Sequence, residues 1–158
     1  MEKMTEREFR TMLATDPAAM ARITPDQMAR ITPAAMAWIT PDQMAARKAL
    51  WDSVPKVDKL YSSILDGIQS EQRKLDQSTF GPEEPPANIC KTPMCIAGHT
   101  VNVAGVAGYA LKSRYGFAVA AALIHSKSRP GVPCPRYDSY PAEWALAYIE
   151  TRAEEESK

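Results

Sequence analysis

The sequence predicts an all-α protein, in which a compact bundle of about four or five helices is preceded by an arm of short helices. Apolar residues after position 50 recur with helical spacing, and no stretch alternates apolar and polar residues as a half-buried strand does. The first 50 residues instead repeat a short unit that contains proline. These observations predict an octad-repeat arm over residues 1–50 and a helical domain over residues 51–158.

The arm repeats a unit of eight residues that begins with Met. Copies start at Met20, Met28, Met36 and Met44, and a degraded copy starts at Met12. A short repeated unit buries little surface by itself, so it is typical of a segment that presents its apolar side chains to something else. The repeat alone does not identify what that is.

Each unit carries the signals of a helix start. In the best preserved copy, Thr40 is a good N-cap, Pro41 suits the first helical position, and Gln43 completes a capping box. Ile39 before the cap and Met44 at the fourth helical position form a hydrophobic staple. Because each proline pushes the preceding residue out of the α region, we expect a zigzag of very short helices. Such helices are marginal in water and need tertiary or intermolecular support.

Two sources of that support are open. The apolar side chains of the arm either pack on the C-terminal body of the chain or contact a partner, since Met-rich surfaces adapt to varied partners. Trp38 stands where two other units have Arg, and it would be the natural anchor of a binding surface. We therefore expect the arm to bind another protein or to mediate self-association. The candidate binding residues are Met20, Ile23, Met28, Ile31, Met36, Trp38, Ile39 and Met44.

Composition argues against two classes of partner. Lys and Arg together number 19, as do Asp and Glu, so the chain lacks the basic surface of a nucleic-acid-binding protein. The N-terminus is charged and has no apolar signal sequence. The apolar run over residues 95–111 contains His99, Asn102 and three glycines, so it predicts a buried helix rather than a membrane span. With three cysteines and no secretory signal, we expect a cytoplasmic protein, in the host cytoplasm if it is phage-encoded.

Helices are predicted throughout the body. The last octad continues from Pro41 to about Asp52, and a second apolar face then runs from Val57 to Ile68, with Leu75 on the same face. Residues 77–89 are rich in proline and form a loop.

The second half of the body predicts three further helices. The first starts at Pro93 with Thr92 as its cap and runs to about Ser113, with glycines and alanines that allow close packing. A short buried helix covers residues 117–125, and residues 128–141 form another loop rich in proline. The last helix opens at Pro141, and its apolar side is formed by Trp144, Ala145, Tyr148, Ile149 and Arg152. The glutamates at 154–156 are expected to be solvated and frayed.

The segment CKTPMCIAGH, residues 90–99, is the best candidate for chemistry. Cys95 is predicted at the third position of a helix, where the helix dipole favours a thiolate, and His99 lies four residues on along the same face. Three interpretations are open: the cysteines are small core residues, they belong to a structural zinc site, or they form a redox pair or a nucleophile. The zinc site would use Cys90, Cys95, His99 and Cys134.

A cysteine nucleophile would also require a base. His99 or His125 could serve, with Asp138 as the orienting carboxylate. Burial of a thiol raises its pKa by more than a helix end lowers it. We therefore expect Cys95 to be buried and structural.

This motif resembles that of a family of small phage and bacterial proteins, in which Cys-Gly-Thr-x-x-Cys-Ile-Ala-Gly is followed by Trp or His. Cys90, Thr92 and the run from Cys95 to His99 match, whereas Lys91 stands where Gly is usual. The segment at residues 144–149 is also similar, so the resemblance covers roughly residues 57–152. It implies no assigned activity, and the frequent Trp at the place of His99 argues against an obligatory histidine ligand.

Together these patterns favour a non-enzymatic accessory protein, phage-borne if the resemblance holds, that acts by binding another protein. A small cysteine-dependent enzyme that uses Cys95 and a zinc-stabilised structural domain are the two alternatives.

Overall fold

The computed structural model describes residues 39–70, 72–86, 92–135, 137 and 141–158. The chain divides into two units at the Val54–Pro55 boundary, and each is described by itself. The described residues are mostly helical, which confirms the predicted class at that level. No helix within the described ranges is long and apolar enough to cross a membrane.

The first unit contributes helix α1, Pro41–Ser53, and its start follows the octad signals. The Thr40 hydroxyl accepts a hydrogen bond from the Gln43 N–H at 3.2 Å, and the Gln43 side chain accepts one from the Thr40 N–H at 2.9 Å. The predicted capping box is therefore confirmed at this copy of the repeat. The helix itself has 13 residues, because no proline interrupts the sequence after Pro41 until Pro55.

The second unit contains five helices and two short strands among its described residues. They are α2 (Leu60–Gln69), β1 (Arg73–Leu75), β2 (Thr92–Met94), α3 (Ile96–Val103), α4 (Gly105–Tyr115), α5 (Phe117–Ser128) and α6 (Ala142–Glu156). Helix α2 packs against α6, and α3 packs against both α4 and α5. Leu60 and Ile64 of α2 and Ala145 and Ile149 of α6 are all fully buried in the apolar core.

The two strands form a parallel pair in which Arg73 is opposite Thr92 and Leu75 is opposite Met94. The sequence predicted no strand, with Leu75 on the face of a helix and Thr92 as a helix cap, and these predictions are wrong. Three-residue strands are too short to show alternation. The pairing continues past the strands, since the Asp76 N–H donates to the Met94 carbonyl at 2.9 Å.

The helix predicted over residues 93–113 is two helices. Cys95 is the N-cap of α3, and Gly105 adopts a φ of +61°, a left-handed conformation that breaks the helix before α4. Gly108 allows the two helices to approach closely, because a Cβ there would lie 2.3 Å from the Val101 carbonyl oxygen. The expected close packing through small residues is thus present, at a bend that the sequence analysis did not predict.

The end of α6 differs most from its prediction. Glu156 lies inside the helix, and its side chain is only 4% exposed. Its carboxylate accepts hydrogen bonds from the backbone N–H groups of Tyr61 at 3.1 Å and Ser62 at 2.8 Å, and it pairs with Arg129 at 3.1 Å. These N–H groups form the first turn of α2, whose N-cap Lys59 makes no capping bond of its own. Glu156 therefore caps a neighbouring helix instead of fraying into solvent.

Candidate functional site

The backbone of the cysteine motif joins α3 to the loop after β1. The Cys95 N–H donates to the Thr79 carbonyl at 2.7 Å, and the His99 N–H donates to the Cys95 carbonyl at 2.9 Å. At Gly98 a Cβ would lie 1.7 Å from the carbonyl oxygen of Phe80, so only glycine fits where the loop crosses the helix. Gly98 thus has a structural reason to be present, and the backbone of Cys95 holds the loop to the helix.

The Cys95 thiol is enclosed by protein, with 2% of the residue exposed. Burial raises its pKa, although the N–H groups of Gly98 and Ala97 act in the opposite direction. The competition between burial and a helix N-terminus therefore ends as predicted, with burial dominant. The thiol is at the N-cap of α3 and not at the third helical position, because the helix starts three residues later than its proline signal indicated.

His99 is fully buried on α3, and neither of its ring nitrogens has a hydrogen-bond partner. Burial, and secondly the nearby Arg73 guanidinium, lower the pKa of His99 to about 4. The backbone carbonyls of Lys74 and Met94 approach the ring closely enough to act against this lowering of the His99 pKa, but neither makes a hydrogen bond of normal geometry with a ring nitrogen. The imidazole is therefore neutral at neutral pH, and it makes no hydrogen bond to the Cys95 thiol.

His125 is equally buried on α5 but fully bonded. Its Nε2 lies 3.0 Å from the Val132 carbonyl oxygen, and its Nδ1 lies 2.8 Å from the Tyr61 hydroxyl. A carbonyl oxygen only accepts, so Nε2 carries the proton and the Tyr61 hydroxyl donates to Nδ1. Burial raises the pKa of Tyr61 well above its usual value, which keeps this donor protonated. With both nitrogens engaged, His125 is not free to act as a base for Cys95.

Tyr148 completes this group, which we call the Tyr61 cluster (Tyr61, His125 and Tyr148). Its ring meets that of Tyr61 edge-on with centroids 5.5 Å apart, and its hydroxyl donates to the Pro133 carbonyl at 3.4 Å. Cys134 follows Pro133 in this loop, and its Sγ lies 3.4 Å from the Tyr137 hydroxyl. The cluster therefore fixes the loop after α5 to α2 and α6, which is a structural role.

The proposed zinc ligands are only partly described. Cys90 and the candidate orienting residue Asp138 lie outside the described residues. Within the described part, no group of three or more His, Cys, Asp or Glu side chains could hold a metal ion. The zinc site through Cys90, Cys95, His99 and Cys134 stays a prediction.

Most of the predicted binding residues of the arm also lie outside the described residues, namely Met20, Ile23, Met28, Ile31, Met36 and Trp38. Ile39 is half-buried just before α1, and Met44 on α1 is 39% exposed. Their role in binding stays a prediction.

One surface feature was not identified as a site from the sequence. Trp144 on α6 is 64% exposed, whereas its neighbours Ala145 and Ile149 are fully buried. The sequence predicted all three on one apolar side of the helix. The buried face is narrower than that predicted side, and the Trp144 indole lies just outside it. Tyr148 and Arg152 follow Trp144 at helical spacing, and the Arg152 guanidinium lies 5.1 Å from the centre of the Tyr148 ring. The four-residue period of Ala145, Ile149 and Ala153 is the signal that could have separated them.

Comparison with known proteins adds no relative, since no protein-family model, curated protein or solved structure matches this chain.

Proposed function

We propose that this protein is a non-enzymatic accessory protein that acts by binding another protein in the cytoplasm, of the host cell if it is phage-encoded. The exposed indole of Trp144 is the observation that carries the proposal. An exposed Trp side chain leaves a large apolar surface in contact with water, which is unfavourable. Trp is also among the residue types most enriched at the energetic centres of protein interfaces. The place of Trp144 on a helix whose buried residues are Ala145, Ile149 and Ala153 supports a role outside the core.

The surroundings of the indole support the same proposal. We call this region the Trp144 surface (Trp144, Ala147, Tyr148, Thr151 and Arg152). Ala147 and Thr151 are exposed and small, so they leave the indole accessible from the side. The Arg152 guanidinium is held by two bonds to the Glu155 carboxylate at 2.8 and 2.9 Å. A held side chain loses less entropy on binding than a free one.

The octad arm would supply a second part of the contact. Met44 is exposed on α1, and its equivalents Met20, Met28 and Met36 recur at every eighth residue. Methionine side chains are flexible and polarizable, so a row of them tolerates partners of different shape. The arm and the Trp144 surface need not contact the same partner residue for both to add affinity.

The test uses the full chain as bait in an extract of the cells that produce it, with Trp144→Ala as the variant. The control is Val106→Ala, which removes another exposed apolar side chain from α4. A partner retained by the wild type and by the control, and lost by Trp144→Ala, supports the proposal. A partner that all three proteins retain equally would contradict the role of the Trp144 surface. Sedimentation of the same three proteins decides whether the partner is a second copy.

The alternative of a cysteine-dependent enzyme has less support. Its nucleophile would be Cys95, whose thiol is buried, has a raised pKa and has no hydrogen bond from either His99 or His125. The alternative of a zinc domain is tested by elemental analysis, where one zinc per chain would support it.

A further inference from the structure

Buried polar side-chain atoms without hydrogen-bond partners are concentrated in one part of the fold. Among the described residues they belong to Arg73, Gln77, His99, Asn102 and Arg152. The first four lie on β1, just after it, or on α3. Native proteins leave few such atoms unpaired, because each unpaired atom lowers the stability of the fold. A concentration of them indicates that something polar belongs there.

Three of these residues and Tyr109 share a common region. Asn102 follows His99 by three residues, so both lie on one face of α3. The amide nitrogen of Asn102 lies 3.4 Å from the Tyr109 hydroxyl on α4. Arg73 on β1 is close enough to His99 for its charge to lower the His99 pKa, and Tyr109 is close enough to Arg73 to act on the Arg73 pKa. The region between β1, α3 and α4 is therefore polar, and we call it the Arg73 site (Arg73, His99, Asn102 and Tyr109).

Arg73 is the only charged member of this site. Its Nη1 donates to the Ser63 carbonyl at 3.2 Å, while its Nε is buried and unpartnered. None of the ion pairs found among the described residues includes Arg73. Gly67 makes room for the guanidinium, because a Cβ there would overlap Nη1. Among the described residues, no carboxylate is paired with this half-buried cation, which is costly unless a counter-charge is supplied.

We propose that the Arg73 site binds a small oxyanion, such as phosphate or a small carboxylate. The Nε–H of Arg73 and the N–H of His99 are the free donors, and oxyanions are the groups that guanidinium donors match best in charge and geometry. The free Asn102 oxygen accepts a hydrogen bond from a hydroxyl group, which a singly protonated phosphate or a hydroxy acid carries. Ordered water would satisfy the hydrogen bonds but would leave the charge of Arg73 uncompensated.

The first test is thermal unfolding of the full chain at neutral pH, with phosphate or acetate replacing chloride at constant ionic strength. Binding to the folded state raises the melting temperature in a saturable way. We expect a rise of several degrees with at least one of the two anions, and the anion with the lower half-saturating concentration identifies the ligand class. Arg73→Gln should abolish the rise, whereas Arg114→Gln, which removes an exposed arginine on α4, should retain it.

A second measurement needs no variant, because the chain has only two histidines. Titration with the same anion, followed by the NMR signals of the imidazole rings, should shift His99 and leave His125 unchanged. The shift should saturate at the concentration found by melting. No saturable effect of either anion, an equal rise in Arg73→Gln, or equal shifts of both rings would each overturn the proposal.

Discussion

The two histidines of this chain are buried to the same extent but have opposite environments. His125 lies between α2, α5 and α6, and both of its ring nitrogens are within 3.0 Å of a partner. His99 lies between β1, α3 and α4, and neither of its ring nitrogens has a partner. Nearby charged residues show the same contrast. Glu156, in the part of the fold that contains His125, has its carboxylate fully bonded, whereas Arg73, near His99, has an unpaired Nε. Burial alone therefore does not reveal what a polar residue does.

The difference separates a structural cluster from a candidate ligand site. A buried polar group with all its hydrogen bonds made fixes the elements around it, as the Tyr61 cluster does for the loop after α5. A buried polar group that makes none of its hydrogen bonds lowers stability, unless a bound ligand supplies the missing partners. The side of the fold that contains His99 is consequently the one whose properties should depend most on solution conditions.

The largest expected effect is a loss of stability in acid. The pKa of His99 is lowered to about 4 in the folded protein from 6.5 in the unfolded chain, so the unfolded chain binds more protons between these values. The free energy of unfolding is therefore unaffected by His99 above about pH 6.5. It falls by roughly 3 kcal/mol as the pH is lowered from 6.5 to 4, because the unfolded chain takes up the proton first. Urea unfolding at a series of pH values measures it.

The control for this pH dependence is His99→Phe, which keeps an aromatic ring but cannot bind a proton. The slope of stability between pH 6.5 and 4 should become much smaller in this variant. An unchanged slope would mean that other groups cause the acid loss, and the assigned difference between the two histidines would then lose its main consequence.

The next effect compares the two histidines directly. His125→Phe removes the partner of the Val132 carbonyl and leaves the Tyr61 hydroxyl with only its longer 3.5 Å contact to the Tyr148 hydroxyl, so we expect a loss of roughly 2 kcal/mol at neutral pH. His99→Phe removes two unpaired nitrogens and breaks no hydrogen bond, so its stability should stay within about 1 kcal/mol of the wild type. Urea midpoints of both variants provide the measurement. Equal losses in the two variants would contradict the contrast.

A smaller effect is expected at Glu156, on the well-bonded side. Glu156→Gln keeps the shape of the side chain but replaces a charged acceptor at the start of α2 and removes the pair with Arg129. We expect a loss of about 1–2 kcal/mol. Glu154→Gln changes an exposed glutamate of the same helix and should be nearly neutral. Similar unfolding midpoints for the two variants would show that the cap contributes little.

The sequence was informative where a periodic pattern was long. The apolar spacing of Leu60, Tyr61 and Ile64 correctly placed a buried face on α2, and the Thr40 capping box correctly placed the start of α1. The sequence was misleading where long-range contacts decide the secondary structure. The helix ends at Gln69, and Leu75, which continues the helical apolar spacing, lies instead in a strand that pairs with Met94. Three-residue strands leave no signal of their own in a single sequence.

The site followed the same rule. The burial of Cys95 could be predicted from the small apolar residues after it, whereas the partners of the two histidines could not, because Tyr61 and Val132 are far apart in sequence. The role of Arg73 was missed for a similar reason, since an isolated arginine after a helix is usually a solvated surface residue. The exposure of Trp144 was missed because a helical pattern gives the direction of a face but not its width.

The last comparison concerns two thiols and requires no change in stability. Cys95 is buried, whereas Cys134 lies at the surface with its thiol partly enclosed by protein. The enclosure raises the pKa of both thiols. The two should therefore have little thiolate at neutral pH, and access should decide which reacts first. In a Cys90→Ser background, iodoacetamide should modify native Cys134 slowly and Cys95 far more slowly still, and both rapidly after denaturation. Peptide mass spectrometry over time gives the two rates. Fast modification of native Cys95 that is lost in His99→Phe would show that an imidazole activates the thiol in solution, and it would make the cysteine-dependent enzyme the better proposal.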